Sequence, residues 1–68
     1  MGTVAKVTEI ISSSEKSFED AARVGIARAS KTLKHIRGAW IKEQQVDVED
    51  GEVKRFRVTM KVTFVLDD

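Results

Sequence analysis

The sequence has no cysteine and no proline, and it has only one histidine and one tryptophan among its 68 residues. Without cysteine, neither a disulfide framework nor a thiolate metal cluster forms, and one histidine excludes a multi-histidine metal site within a single chain. A chain this short therefore needs very regular packing or self-association for its stability. We expect residues 1–68 to form a single domain, because this length leaves no room for a second.

The sequence also has no long run of charges of one sign. Twelve basic and eleven acidic residues give a net charge of +1, and the signs are interspersed along the sequence. This pattern predicts no basic stripe for nucleic acid. No apolar run approaches the roughly 18 residues of a transmembrane helix, and the N-terminus lacks a signal-peptide pattern. We therefore expect a cytoplasmic protein that binds neither nucleic acid nor a membrane.

The first half of the chain predicts a strand and then a helix. Residues 4–11 are rich in β-branched types and are followed by three serines, which indicates a strand that leads into a turn. The apolar spacing then becomes helical, and the predicted helix runs roughly over residues 17–35. Ser17 and Asp20 resemble a capping box, and Ser14 is an alternative N-cap. The predicted buried stripe of the helix consists of Phe18, Ala22, Ile26, Ala29, Leu33 and Ile36.

The second half predicts a hairpin of two strands. Gly38 is expected to end the helix in a left-handed conformation, after which the apolar period falls to two. Strands over residues 39–48 and 53–66 flank Asp50-Gly51, a hairpin turn signature. On the last strand, the side chains predicted to face the core are Phe56, Val58, Met60, Val62, Phe64 and Leu66, and those predicted to face solvent are Arg55, Arg57, Thr59, Lys61 and Thr63.

The order of elements predicts an α+β fold with β-α-β-β topology. A crossover makes the first two strands parallel, and the third strand fits between them, antiparallel to both, in a sheet that curls round the helix. One helix does not cover a strand of up to about 14 residues, so the sheet is predicted to project beyond it and to expose edges and apolar ends. We expect other copies of the chain to cover these surfaces.

Catalytic groups are few. We interpret His35 as a cation that closes the helix C-terminus rather than as an acid or base. No serine or threonine lies in a nucleophile motif, and the glycines have no phosphate-binding spacing. Gly25 is expected to permit a close contact between helix and sheet. The sequence thus predicts a protein that is not an enzyme.

Two features of the hairpin strands allow a binding role. The first is Trp40, because an indole near the start of a strand stacks well on a flat ligand. Tryptophan is also enriched at subunit interfaces, and we favour an interface role for Trp40. Arg55, Arg57 and Lys61 share one face of the last strand. They form either an ordinary solvated surface or, if the sheet lines a cavity of an assembly, a cationic wall for phosphate or carboxylate ligands.

Almost the whole chain, from Val4 to Asp67, resembles the dodecin family. The segments that carry the resemblance are VTEIISSS at 7–14, SFEDAA at 17–22, ARASKTL at 27–33 and VTMKVTFVLD at 58–67. Each segment is weak alone, but their order and spacing together are specific. The resemblance implies a β-α-β-β subunit whose sheet wraps round its helix, and a hollow homododecamer.

Many dodecins bind flavins, such as FMN or riboflavin, between tryptophans that begin the second strand, with a glutamine of the third strand on the isoalloxazine edge. Matched without gaps, this chain has Gly38 in place of that tryptophan and Arg57 in place of the glutamine. Trp40 follows two residues later, on the same face of a strand and about 6.6 Å along it. The chain therefore resembles the branch that lacks the flavin motif, some members of which are associated with calcium.

We therefore predict a non-enzymatic dodecameric shell that binds or stores a small molecule or an ion, with the flavin site at Gly38 and Arg57 lost. The alternative is a flavin-storing dodecin that stacks its ligand on Trp40, and a third interpretation is a scaffold without a small ligand. Calcium needs six to eight oxygens, so an ion would be held by several copies. The candidate donors, among which the sequence does not decide, are Glu43, Asp47, Glu49 and Asp50.

Overall fold

A computed structural model describes residues 2–66, so that Asp67, the last residue of the family resemblance, lies outside the described residues. The elements are β1 (Ala5–Ser14), α1 (Phe18–Ala29), β2 (Ile36–Glu49) and β3 (Glu52–Val65). β3 is the central strand, and it pairs antiparallel with β1 on one side and with β2 on the other. The predicted β-α-β-β topology and three-stranded sheet are confirmed.

The turn between β2 and β3 has the predicted Asp-Gly conformation. Asp50 and Gly51 both have positive φ, of 53° and 76°, as a type I′ hairpin turn requires. Pairing continues up to Glu49 opposite Glu52, whereas the last residue of β1, Ser14, already pairs with Phe56. The hairpin end therefore has no β1 beside it.

This projecting hairpin makes the chain elongated. The molecule measures 55 × 20 × 13 Å, and its radius of gyration is 14.1 Å. A compact domain of this length would have a radius of gyration of about 11 Å. Val48 and Val53, near the tip, are 62% and 50% exposed. The prediction that the sheet projects beyond its helix and exposes apolar side chains is confirmed.

The N-terminus of α1 is capped as the sequence predicts. Ser17 is the N-cap, and its hydroxyl accepts a hydrogen bond from the backbone N–H of Asp20 at 2.9 Å. The Ser14 hydroxyl donates to the Asp20 carboxylate at 2.5 Å instead of capping the helix itself. The end of β1 and the first turn of α1 are thus joined through one aspartate.

The predicted C-terminus of the helix is wrong. α1 ends at Ala29 rather than near residue 35, and the Ala29 carbonyl accepts hydrogen bonds from the N–H groups of both Thr32 and Leu33. Gly38 does not end the helix in a left-handed conformation, because it lies within β2. The left-handed residue between α1 and β2 is His35, with φ of 62°, and it lies beyond the helix that it was expected to close. Ile36 has helical spacing in the sequence because it packs on the same core, but it does so from the start of β2.

The core lies between α1 and the middle of β3. Val58, Met60 and Val62 are at most 1% exposed and form one cluster with Ala21. The predicted alternation of β3 is therefore confirmed in its central part, whereas Leu66 is 42% exposed. The partly buried side chains packed on this cluster are Ile10, Phe18, Ala22, Ile26 and Ile36.

The helix contacts the sheet through small residues. Its buried positions are Ala21, Gly25 and Ala29, so the predicted stripe is displaced by about one residue, and its larger members lie at the sides. A Cβ on Gly25 would lie 2.6 Å from the Ser12 hydroxyl and 2.7 Å from the Met60 methyl group. The Ser12 hydroxyl also donates to the Ala21 carbonyl at 2.6 Å, which fixes β1 against the helix. The expected role of Gly25 is confirmed.

Replacing Gly25 with valine should therefore destabilise the fold. A larger side chain has no space against Ser12 and the fully buried Met60, and overpacking of this kind costs about 1–3 kcal/mol. Gly38→Val is the matched control, since nothing lies within 4 Å of a Cβ there. We expect Gly25→Val to lower the urea midpoint and Gly38→Val to leave it unchanged or raise it, at equal protein concentration and subunit number. An equal loss in both variants would contradict this account of the helix contact.

Candidate functional site

The side of the sheet that faces away from α1 carries the residues predicted to bind a ligand. On β3 this outer face consists of the residues that alternate with the core positions: Arg55, Arg57, Thr59, Lys61 and Thr63. Gly38 pairs with Thr63 and Trp40 with Lys61 in the sheet register. Gly38, Trp40 and Arg57 therefore share one face; the sequence predicts this for Gly38 and Trp40.

The outer face is less exposed than the sequence predicts. Thr59 is only 8% exposed, although it was expected to face solvent. It lies between Ile11 of β1 and Glu43 of β2, because β3 has a neighbouring strand on each side. Arg57, Lys61 and Thr63 are likewise only partly exposed. The expectation of a fully solvated face is wrong at the centre of the sheet.

Trp40 is the largest exposed apolar side chain of the outer face, with 64% of its surface accessible. The Lys61 ammonium lies 5.3 Å from the centre of its ring, within the range of a cation–π interaction. Next to Lys61, on β1, Glu9 forms an ion pair of 3.5 Å with Lys42. The indole thus has a cation against its ring and retains a large accessible surface.

Gly38 provides no surface on which a ring could stack. The position is exposed, and nothing lies within 4 Å of where its Cβ would be. A larger side chain would therefore fit here without a rearrangement of this chain. Since glycine has no side chain, the outer face is open between Gly38 and the neighbouring Trp40.

Arg57 is held by an acid of the neighbouring strand. Its Nη2 donates to an Asp47 carboxylate oxygen at 2.6 Å, and Arg55 Nε donates to the same oxygen at 3.2 Å. The Arg57 hydrogen bond is the main reason why the pKa of Asp47 lies below its ordinary value of 3.8; partial burial opposes the shift, and Arg55 adds to it. The buried Nε of Arg57 has no hydrogen-bond partner among the residues that the structure describes.

Gly38 and Arg57 are far apart within one chain. Gly38 pairs with Thr63 of β3, and Thr63 lies six residues from Arg57 along that strand. At about 3.3 Å per residue this separation is roughly 20 Å. One chain therefore does not bring the stacking position and the hydrogen-bonding position together, and a ligand that contacts both needs two chains.

The candidate calcium donors do not converge. Asp47 is paired with two arginines, and Glu49 and Asp50 lie at the hairpin end, distant from Glu43 along β2. Within residues 2–66, no group of three or more histidine, cysteine, aspartate or glutamate residues is placed to hold a metal ion. The role of Asp47 as the partner of Arg57 was missed. The turn register alone would not have revealed it: the Asp-Gly turn places Asp47 opposite Lys54, and an irregularity between Asp47 and Val48 shifts Asp47 opposite Arg55.

Membrane insertion through a helix finds no support in the part of the chain that is described. None of its helices has the length and apolar character needed to cross a bilayer.

Replacing Asp47 with asparagine should weaken the acid dependence of stability. Because the pKa of Asp47 is lower in the folded chain, its contribution is present above about pH 4 and is lost as the pH falls through the folded value. We expect thermal melts of Asp47→Asn to fall less than those of the wild type between about pH 5 and pH 2. Asp50→Asn removes an acid that forms no ion pair within residues 2–66, and it should keep the wild-type profile. Identical profiles for the wild type and Asp47→Asn would contradict the prediction.

Comparison with known proteins agrees with this architecture over the whole chain. A family model described as Dodecin matches residues 4–67. Dodecin from Thermus thermophilus is 35% identical over 68 residues, which covers 100% of this chain and 99% of the relative. The solved structure of dodecin from Streptomyces davaonensis has a TM-score of 0.96 and 35% identity, with 100% of both chains covered.

A third relative is the calcium dodecin of Mycobacterium tuberculosis, whose solved structure has a calcium-binding site. Its TM-score is 0.82 and its identity is 34%, with 94% of this chain and 91% of that chain covered. The match to the family extends over both the helix and all three strands. This chain belongs to the dodecin family.

Proposed function

We propose that this protein is a non-enzymatic binding or storage protein that forms a hollow homododecamer from single-domain subunits of residues 1–68. In this proposal, the flavin position of the family is lost. Family membership and the arrangement of Gly38 and Arg57 on the outer face support it. The assembly supplies the second chain that a ligand spanning these two positions needs.

The exposed apolar surface of the single chain supports assembly. β1 and β2 each have a strand partner on one side only, and unpaired strand edges favour association. Scattered apolar side chains are normal on a surface, but here they lie together on the outer face and the projecting hairpin. Large apolar residues there that are at least 50% exposed include Val7, Ile11, Trp40, Val48 and Val53. Other copies of the chain would cover this surface.

The single observation that carries the flavin part of the proposal is the chemistry at Gly38 and Arg57. Gly38 has no ring to stack on a flavin, and Arg57 has donors but no acceptor for the isoalloxazine edge. Asp47 already holds the Arg57 guanidinium at 2.6 Å, so a ligand would have to compete with a charge-assisted hydrogen bond. These features disfavour flavin and favour a different ligand.

The alternative is a flavin-storing dodecin in which Trp40 stacks on FMN or riboflavin. The 64% exposure of Trp40 and its place on the same face as Gly38 favour this alternative. The Lys61 ammonium opposes it in part, because it occupies surface near the indole ring that a flavin would use. The two proposals differ in whether Trp40 contacts ligand.

A calcium site would need several copies of the chain. Glu43, Glu49 and Asp50 would supply oxygens from different chains round a symmetry axis, because one chain provides too few. Asp47 is not proposed as a ligand, since two arginines already neutralise it. Similarity to the calcium dodecin of Mycobacterium tuberculosis supports a test for calcium but does not identify the donors.

Titration with FMN and riboflavin tests the proposal. We expect the wild type to leave flavin emission unchanged at micromolar concentration, and native mass spectrometry to show twelve subunits without flavin. The double variant Gly38→Trp/Arg57→Gln should gain flavin binding, because the strand has space for a side chain at residue 38. Trp40→Ala is the control that distinguishes the alternative.

Submicromolar binding of flavin by the wild type would overturn the leading proposal. If Trp40→Ala then abolished that binding, the alternative would be correct. The tryptophan signal is specific, because Trp40 is the single tryptophan of the chain and there is no tyrosine. A persistent monomer in the same mass spectra would contradict the assembly on which both proposals depend.

A further inference from the structure

A groove lies on the helix side of the sheet, between α1 and β1, and it is separate from the outer-face site. Its volume is about 500 Å³, within the usual range of about 300–1,000 Å³ for small-molecule pockets. The lining is partly apolar, and hydroxyl groups and one arginine complete it. The lining residues with the largest apolar or polar side chains on the helix side are Ile10, Val24, Leu33, Thr32 and Arg28.

The groove exists because the helix has small side chains on this side and ends at Ala29. Gly25 and Ala29 line it and have little or no side chain to fill it. After Ala29 the chain turns, and the hydrogen bond from Leu33 N–H to the Ala29 carbonyl, at 2.8 Å, holds Leu33 at the groove. The groove could not be predicted from the sequence, because the apolar spacing indicates a helix that continues through this turn.

Arg28 is the only charged residue of the groove lining. It forms no ion pair within residues 2–66, in contrast to Arg23 on the same helix, which lies 3.8 Å from Glu19. Although charges of both signs alternate over the whole chain, residues 21–42 contain no aspartate or glutamate. Arg28 also lies in the last turn of α1, where a cation interacts favourably with the helix dipole. Among residues 2–66, no side-chain anion therefore neutralises its charge.

We propose that this groove binds an amphipathic monoanion: a carboxylate with an aliphatic body. The aliphatic body would pack on Ile10, Val24 and Leu33, and the carboxylate would accept hydrogen bonds from Arg28 at the rim. Burial of an aliphatic chain contributes about 0.8 kcal/mol per CH₂, and the arginine selects for the negative charge. The site is complete within one chain, and it goes beyond the proposed function because it uses none of Gly38, Trp40 and Arg57.

Decanoate, decanol and decyltrimethylammonium test both parts of the recognition on the assembled protein. We expect isothermal titration calorimetry to show decanoate binding that is at least threefold tighter than binding of the two other probes, the effect of a partly exposed ion pair. Arg28→Glu should reverse this order, so that the cationic probe binds better than decanoate. Arg23→Glu is the matched control, because it makes the same charge change on the same helix outside the groove.

Native mass spectrometry of each variant distinguishes a ligand site from a contact between copies. Retention of the subunit number together with a reversed preference in Arg28→Glu supports the proposal. Loss of assembly in Arg28→Glu, with assembly retained in Arg23→Glu, would mean that another copy occupies the groove and would overturn it. A wild type that binds no decanoate at concentrations up to about 1 mM would also overturn the proposal. Equal effects of Arg28→Glu and Arg23→Glu on the order of binding would overturn it as well. None of these outcomes depends on flavin binding.

Discussion

The close contact between one short helix and the central strand is the constraint on which the rest of the structure depends. Gly25 allows α1 to approach β3 so closely that a single Cβ would lie 2.7 Å from Met60. Small residues of the helix pack at this contact against Val58, Met60 and Val62 of the strand. A helix of 12 residues, however, shelters only the middle of strands of 14 residues. The outer face and the hairpin end are left to be covered by something else.

The same strand alternation that seals the core also determines what the outer face presents. Each residue of β3 that faces the helix is followed by one that faces away, so the chemistry of the outer face is fixed once the core register is fixed. Arg57 therefore lies within reach of Asp47, and Lys61 lies beside Trp40. These pairings give each of the two cations a partner within the chain, although the buried Nε of Arg57 is left without one among residues 2–66. An outer face already paired in this way is a poorer site for a neutral planar ligand that needs an acceptor and a free ring.

Much of the fold could be predicted from the sequence, because the signals are local. Period-two alternation gave β3, Asp50-Gly51 gave the hairpin, and Ser17 with Asp20 gave the start of the helix. The end of the helix could not be predicted in this way, since Leu33 and Ile36 follow helical spacing although they lie outside the helix.

For the site, the shared face of Gly38 and Trp40 follows from the alternation of side chains between the two faces of a strand. The burial of Thr59 does not, because it depends on neighbours from two other strands. This alternation specifies the face on which a side chain lies. The solvent exposure of that side chain depends on which strands lie beside it.

The two candidate sites differ in how many chains they need, and this difference has a thermodynamic consequence. The positions of Gly38 and Arg57 are roughly 20 Å apart in one chain, so a ligand bound to both across two chains stabilises the assembly by an amount that grows with the logarithm of the free ligand concentration above its Kd. A ligand of the groove contacts only α1, β1 and the turn that follows Ala29, and it stabilises the fold of each chain without favouring association. The protein concentration at which the assembly dissociates should therefore fall with an outer-face ligand and remain the same with a groove ligand.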